Sequence, residues 1–233
     1  MIQVEPFERL GRFENEWLRA RHHFSFGGHY DPARMGLGGL VVWNDDEIAP
    51  GRGFGAHPHR EMEIVTYVRA GAITHRDSLG NEGRTEAGSV QVMHAGTGIT
   101  HAEMNREATA TRIFQIWLQP NQAGVAPGWE ARSFPVEQAD ALVALADGRA
   151  GADGTALPLY ADGAVLAGTV RAGQTVYQPL GAGRAGYLVA ATGTIVVNGV
   201  RVGTRDGVAI TDETSIAITA ETDAEVVFVD VAM

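Results

Sequence analysis

Two short strings restrict the folds open to this chain: His57-Pro58-His59 and His101-Ala102-Glu103. Each sets two metal-ligating residue types two positions apart. Successive side chains of an extended strand point to opposite faces, so residues i and i+2 share one face. Two such strands lying side by side can aim three imidazoles and a carboxylate at one point, a donor set that suits a mid-row divalent metal. Glu63, four residues after His59, is a second candidate for the carboxylate. Both strings lie in β-type sequence with glycine-rich turns between them. The chain has eight histidines in 233 residues, and none follows His101.

The composition removes much competing chemistry. All 18 basic residues are arginine. Without lysine there is no Schiff-base catalysis, no pyridoxal phosphate anchor and no phosphate-loop lysine. Without cysteine there is no thiol nucleophile, iron–sulfur cluster or disulfide framework. No Gly-x-Ser-x-Gly elbow surrounds any serine. A net charge of −10 argues against direct binding to nucleic acid, whose phosphates would repel it. Residues 1–10 carry Glu5, Glu8 and Arg9 and no apolar signal core, and no stretch has the length of a membrane span. A cytoplasmic protein without membrane contact is expected.

The pattern along the chain is that of many short strands. Apolar, β-branched runs recur at 37–43, 62–68, 73–76, 89–94 and 111–119, divided by turn signals such as Pro50-Gly51-Arg52-Gly53 and Asp77-Ser78-Leu79-Gly80-Asn81. Asn44-Asp45-Asp46 reads as another turn, and residues 14–21 as a short helical turn. Residues 127–154 are rich in Ala, Gly and Asp and read as the connection between two halves, with an amphipathic helix over 136–146. Strands resume from Leu157, and Asn198-Gly199 between valines is a two-residue hairpin signal. The fold class expected is all-β, two β-sandwich or jelly-roll barrels packed together with few short helices. Residues 1–133 form the metal-binding half and residues 134–233 a half without metal.

These motifs resemble those of the cupin superfamily. Gly51, His57, His59, Glu63 and Gly71 follow its first motif, with the last glycine one residue late. Gly88, Gly96, His101 and Asn105 follow the second, with His94 in place of its proline and a longer gap before the histidine. The closer resemblance, over essentially the whole chain, is to the pirin family, in particular its short bacterial bicupin members that carry the name quercetin 2,3-dioxygenase. It rests on Arg21-His22-His23-Phe24-Ser25-Phe26, His57-Pro58-His59-Arg60, Gly96-Thr97-Gly98-Ile99-Thr100-His101-Ala102-Glu103, Val197-Asn198-Gly199 and Gly207-Val208-Ala209-Ile210.

That resemblance implies His57, His59, His101 and Glu103 as metal ligands, with Glu63 a supporting group beside the site or a spectator on a strand surface. It implies one divalent metal per chain, Fe(II) first, with Mn, Co, Ni, Cu or Zn as alternatives. The activity implied is a flavonol dioxygenase that takes a small aromatic substrate and O2 and releases carbon monoxide, with Glu103 as the catalytic base. The contrasting reading is a metal-containing regulatory or binding protein, a transcription cofactor or redox sensor, without turnover. A third is a cupin isomerase or another oxygenase, which convergent arginines in the cavity would favour. A monomer is expected. His94 either lines the pocket or is a hydrogen-bonded loop histidine, His75 is expected at the surface, and at most one of His22 and His23 reaches any one pocket. Phe24, Phe26 and Trp43 either roof the cavity or belong to the core.

Overall fold

The computed structural model describes residues 1–134 and 141–233. In the first half, the strands are β1 (Ile2–Glu5), β2 (Gly11–Glu14), β3 (Leu18–His22), β4 (Leu40–Ile48), β5 (Gly53–His59), β6 (Glu63–Ala70), β7 (Ala72–Asp77), β8 (Glu82–Glu86), β9 (Ser89–His94), β10 (Ile99–Met104), β11 (Thr111–Leu118) and β12 (Gly128–Ser133). Seven of them form a sheet in the order β12-β9-β6-β11-β4-β3-β2, and four form a second sheet, β5-β10-β7-β8. The two sheets make a sandwich. The second half repeats the plan with β13 (Val143–Asp147), β14 (Leu157–Pro158), β15 (Gly163–Val170), β16 (Thr175–Pro179), β17 (Arg184–Ala190), β18 (Ile195–Val197), β19 (Val200–Val202), β20 (Gly207–Ile210), β21 (Ser215–Ala220) and β22 (Ala224–Ala232). Its sheets run β1-β20-β17-β22-β15-β13-β14 and β16-β21-β18-β19, so the chain's first strand completes the second half's large sheet. The expected all-β, two-sandwich architecture is what the chain adopts.

The central strands read as continuous apolar runs because both of their faces are covered. Val65, Tyr67, Val90, Val92, Phe114 and Ile116 of one large sheet pack in a single core with Val165, Ala167, Tyr187, Val189, Val227 and Val229 of the other. The two seven-stranded sheets thus lie back to back. Inside the second sandwich, Leu188, Val208, Ile216, Ile218 and Phe228 fill the space with apolar side chains. The turn between β18 and β19 is the Asn198-Gly199 hairpin, with both residues at positive φ (46° and 84°) as such a turn requires.

Four expectations change. Residues 14–21 form no helical turn: β2 and β3 pair as a hairpin, with the Asn15 carboxamide accepting from the Trp17 and Leu18 amides. Leu18, Ala20 and His22 alternate inward, the period of a strand. Asn44-Asp45-Asp46 is not a turn but the buried middle of β4, because Asn44 is bonded by His22 and Asp45 holds Arg69 and Arg205. The connection 127–154 contributes two strands, β12 closing one large sheet and β13 joining the other. The helix expected over 136–146 is a strand from Val143 onward, and residues 136–140 lie outside the described residues. Among the described residues one 3₁₀ turn, Phe7–Arg9, is the helical content, and no helix is long and apolar enough to cross a membrane.

Candidate metal centre

β5 and β10 are neighbours, and His57 stands directly opposite His101. β5 is an edge strand, which is where a proline such as Pro58, with no N–H to give a ladder, can sit. The ligating atoms of His57, His59 and His101 lie within 4.8 Å of one another. Their protonation is set from behind. The Nδ1 of His57 is 2.7 Å from the Gly55 carbonyl and donates to it, which leaves the Nε2 lone pair facing inward. The Nε2 atoms of His57 and His101 are 3.1 Å apart, and the Nε2 of His59 is buried with no partner. A buried lone pair with nothing to accept from, as at His59, is costly in a protein interior, and a cation among the three rings would relieve it. The donor set fits a divalent metal.

Glu103 is not in that cluster of ligating atoms. It is buried deeper, in a cradle of donors. The Thr66 hydroxyl and Gln91 amide donate to its Oε1 at 3.2 and 2.6 Å, and the Gln115 amide donates to Oε2 at 2.7 Å. The amides are themselves oriented: Thr85 donates to the Gln91 carbonyl at 2.8 Å and the Trp117 indole donates to that of Gln115 at 3.2 Å. The strand register explains the cradle. Gln91 pairs with Thr66, Thr66 with Gln115, Gln115 with Asn44, and Asn44 with His22, so one polar row crosses five neighbouring strands on the inner face of the large sheet. Sequence reasoning missed Gln91, Thr66 and Gln115. The available signal was a lone polar residue interrupting each of three apolar runs.

Burial dominates the electrostatics. Desolvation pushes the Glu103 carboxyl up to about 7, against the hydrogen bonds from Thr66, Gln115 and Gln91 that pull it down. Desolvation, followed by the neighbouring imidazole charges, lowers His59 to about 4 and His101 to about 3, so both are neutral lone-pair donors near neutral pH. Asp46, also inward-facing, is pushed well above the usual carboxylate range by burial and by the charges of Asp45 and Glu103.

A cavity of about 400 Å³ opens beside the cluster. Trp17, Phe26, Phe54 and Trp117 give it aromatic walls, and His22, Asn44, Asp46 and Gln115 give it a polar floor, with His57 and His59 at one side. No arginine lines it. A wider depression of about 610 Å³ in the second half does contain Arg149 and Arg184, but Asp147, Asp162 and Asp230 occupy their guanidinium groups.

The remaining candidates fall into place. Phe26 lines the cavity, while Phe24 and Trp43 are core. His22 faces the cavity and His23 faces the core against Tyr187, the opposite directions expected of adjacent strand residues. Glu63 is not a surface glutamate: it shares its face of β6 with Val65 and Tyr67, accepts from His94 at 2.5 Å and from the Tyr160 amide of the second half at 3.0 Å, and so points away from the histidine cluster. His94 is therefore a hydrogen-bonded histidine at the junction of the halves. The surface position expected for His75 is overturned, because its side chain is fully buried behind His101.

Comparison with known proteins follows the same lines. The family model described as Pirin matches residues 3–118, and that described as a quercetinase C-terminal cupin domain matches residues 142–231. A pirin-like protein of Caulobacter vibrioides is 55% identical over the full length of both chains. A protein of Escherichia coli named quercetin 2,3-dioxygenase is 38% identical over 99% of this chain and 98% of its own. The crystal structure of a bacterial pirin from Escherichia coli in complex with nickel(II) superposes with a TM-score of 0.93 at 36% identity, covering all of this chain and 99% of the other.

Proposed function

This chain belongs to the pirin family, and on that premise we propose that it is a metal-dependent dioxygenase that opens a flavonol ring with O2 and releases carbon monoxide. The single observation that carries the reading is a triad of converging imidazoles, with the buried His59 Nε2 left without a partner, beside an aromatic-walled cavity that no arginine lines. A site built for an anionic sugar or acid would present cationic donors; this one suits a flat, uncharged aromatic molecule with a few oxygen substituents. The name and nickel complex of the relatives support the same substrate class and a divalent ion. The site lies within residues 1–133, of which β1 pairs into the other sandwich, and that other sandwich, built from β1 and β13–β22, has an interior filled with apolar side chains.

His57, His59, His101 and Glu103 would hold the ion, Fe(II) by preference. When bound, the ion supplies Lewis acidity that lowers the pKa of a coordinated hydroxyl and gives O2 and the substrate a common site. The protein does the rest. Trp117 stands edge-on to His59 with ring centroids 5.0 Å apart, and with Phe26 it presents the aromatic wall that orients the substrate ring and keeps water out. Glu103 is the proton carrier. Burial favours the protonated form of this carboxyl, so whenever the ion does not hold it Glu103 can take the substrate's 3-hydroxyl proton, while Thr66, Gln91 and Gln115 keep the carboxyl in place.

The test is direct. The protein is purified without oxygen, loaded with Fe(II), and given quercetin in air while flavonol loss and carbon monoxide are followed. Equal amounts of both are expected, and neither from the His57→Ala, His101→Ala double variant. Stoichiometric metal without turnover of any flavonol would defeat the enzyme reading and leave the regulatory one.

A further inference from the structure

Three i, i+2 dyads meet in this sandwich rather than two. β7 lies on the other side of β10 from β5, and its His75 and Asp77 face Glu103 and His101 across the ladder. His75 is a built position. Its Nε2 is 3.0 Å from Asp77 Oδ2, and its Nδ1 is 3.5 Å from His101 Nδ1, at the long end of hydrogen bonding. The Asp77 carboxylate is fixed in turn by the Leu79 and Asn81 amides and the Asn81 side chain at 2.9–3.0 Å. The Trp129 indole lies parallel on the His75 ring, centroids 4.8 Å apart and planes 7° from each other. Gly83, the cross-strand partner of His75, leaves room for it: a Cβ there would stand 2.2 Å from the indole.

With an ion taking the Nε2 lone pairs of His57 and His101, which lie 3.1 Å apart, the proton positions along this chain are dictated. A carboxylate only accepts, so His75 Nε2 carries the proton given to Asp77. Neutral His75 then has a lone pair on Nδ1, which can accept only from a protonated His101 Nδ1. That fixes the His101 proton on the side away from the cluster and leaves its Nε2 lone pair directed at His57 and His59. The other tautomer of His75 would set a lone pair against the Asp77 carboxylate.

We propose that Asp77 and His75 are positioning residues for the metal centre, selecting the tautomer of His101 and strengthening it as a donor. The proposal rests on His101 being a metal ligand, as read above. Outer partners of this kind are worth about 10–100-fold in metal affinity.

The experiment uses the full chain and nickel(II), with affinity measured by competition against a chromophoric chelator and geometry by the visible spectrum of the cobalt(II) form. His75→Phe keeps a ring against Trp129 but removes the acceptor; Asp77→Asn weakens the acceptor for His75; His75→Gln restores a carbonyl within reach of His101 Nδ1. The expected result is one ion per chain throughout, affinity about 10–100-fold lower in the first two variants with an altered cobalt spectrum, recovery towards wild type in His75→Gln, and cooperative thermal unfolding of each metal-free variant. Unchanged affinity and spectrum in His75→Phe and Asp77→Asn would overturn the proposal while leaving the metal centre standing. Should His75→Phe not fold, Asp77→Asn against His75→Gln decides alone. Failure of the wild type to bind nickel(II) any better than His57→Ala would overturn the metal reading and this proposal with it.

Discussion

If Glu103 ligates the ion, metal binding must expel its proton. A carboxyl whose pKa is about 7 is about nine-tenths protonated at pH 6 and about one-tenth at pH 8. His59 and His101, held at about 4 and about 3, are already neutral at pH 6 and release nothing of note. Binding of nickel(II) at pH 6 should therefore release about 0.9 proton more from the wild type than from Glu103→Gln, and at pH 8 about 0.1 more. The sign is fixed by the direction of the shift: a raised carboxyl pKa makes the metal compete with a proton, so the affinity falls as pH falls below about 7. Over pH 8 to 6 this costs the wild type about tenfold, or about 1.4 kcal/mol, beyond whatever the variant loses. Titration calorimetry in two buffers of different ionisation enthalpy counts the protons. Equal counts in wild type and Glu103→Gln at pH 6 would refute the reasoning and leave the carboxylate in its cradle of Thr66, Gln91 and Gln115, with three imidazoles as the whole protein ligand set.

Other expectations follow from the same geometry. Asp45 is buried between Arg69 and Arg205, so Asp45→Ala strands the buried Arg69 cation and should destabilise the fold by about 3–5 kcal/mol, a melting temperature lower by roughly 10 °C; calorimetry checks it, and a loss under about 1 kcal/mol would contradict the burial. In the metal-free protein His59 and His101 withdraw stability as pH falls from 6.5 through about 4 and about 3, because the folded state resists their protonation, while the raised Glu103 and Asp46 carboxyls act in the opposite sense; between pH 7 and pH 4 the urea midpoint of the wild type should therefore change less favourably than that of His59→Gln, and equal changes would contradict the His59 shift. Trp117→Ala removes a cavity wall and the donor that orients Gln115, so the KM for a flavonol should rise about tenfold or more while bound metal stays at one per chain.

Sequence alone puts the two members of each dyad on a common face because strand parity is a local property. His57 and His59 share a face wherever β5 lies, and so do His101 and Glu103. It could not place what depends on register. Gln91, Thr66 and Gln115 are single polar residues in apolar strands, and their alignment into one row is created by three strands lying side by side. His75 was assigned to the surface for a related reason: it sits two residues from an exposed hairpin, yet β7 is an interior strand flanked by β10 and β8. Asn44-Asp45-Asp46 has turn chemistry, and what overrides it is Arg69 and an arginine 160 residues further on.

The same register accounts for why the two sandwiches diverge in content while agreeing in plan. A row of polar side chains through the first sandwich leaves its interior with only two small apolar clusters, around Ile113 and around Met93, on either side of the metal centre. Polar side chains in an interior displace apolar contacts that would otherwise hold the two sheets together. The compensating core lies outside it, between the back-to-back large sheets, where Trp43, Tyr67 and Phe114 pack against Tyr187 and the valines of β22. The second sandwich supplies that packing face and keeps its own interior apolar. The most extensive apolar packing of the first half therefore lies at the junction of the halves, and its interior holds imidazoles and a buried carboxyl where a packed core would otherwise be.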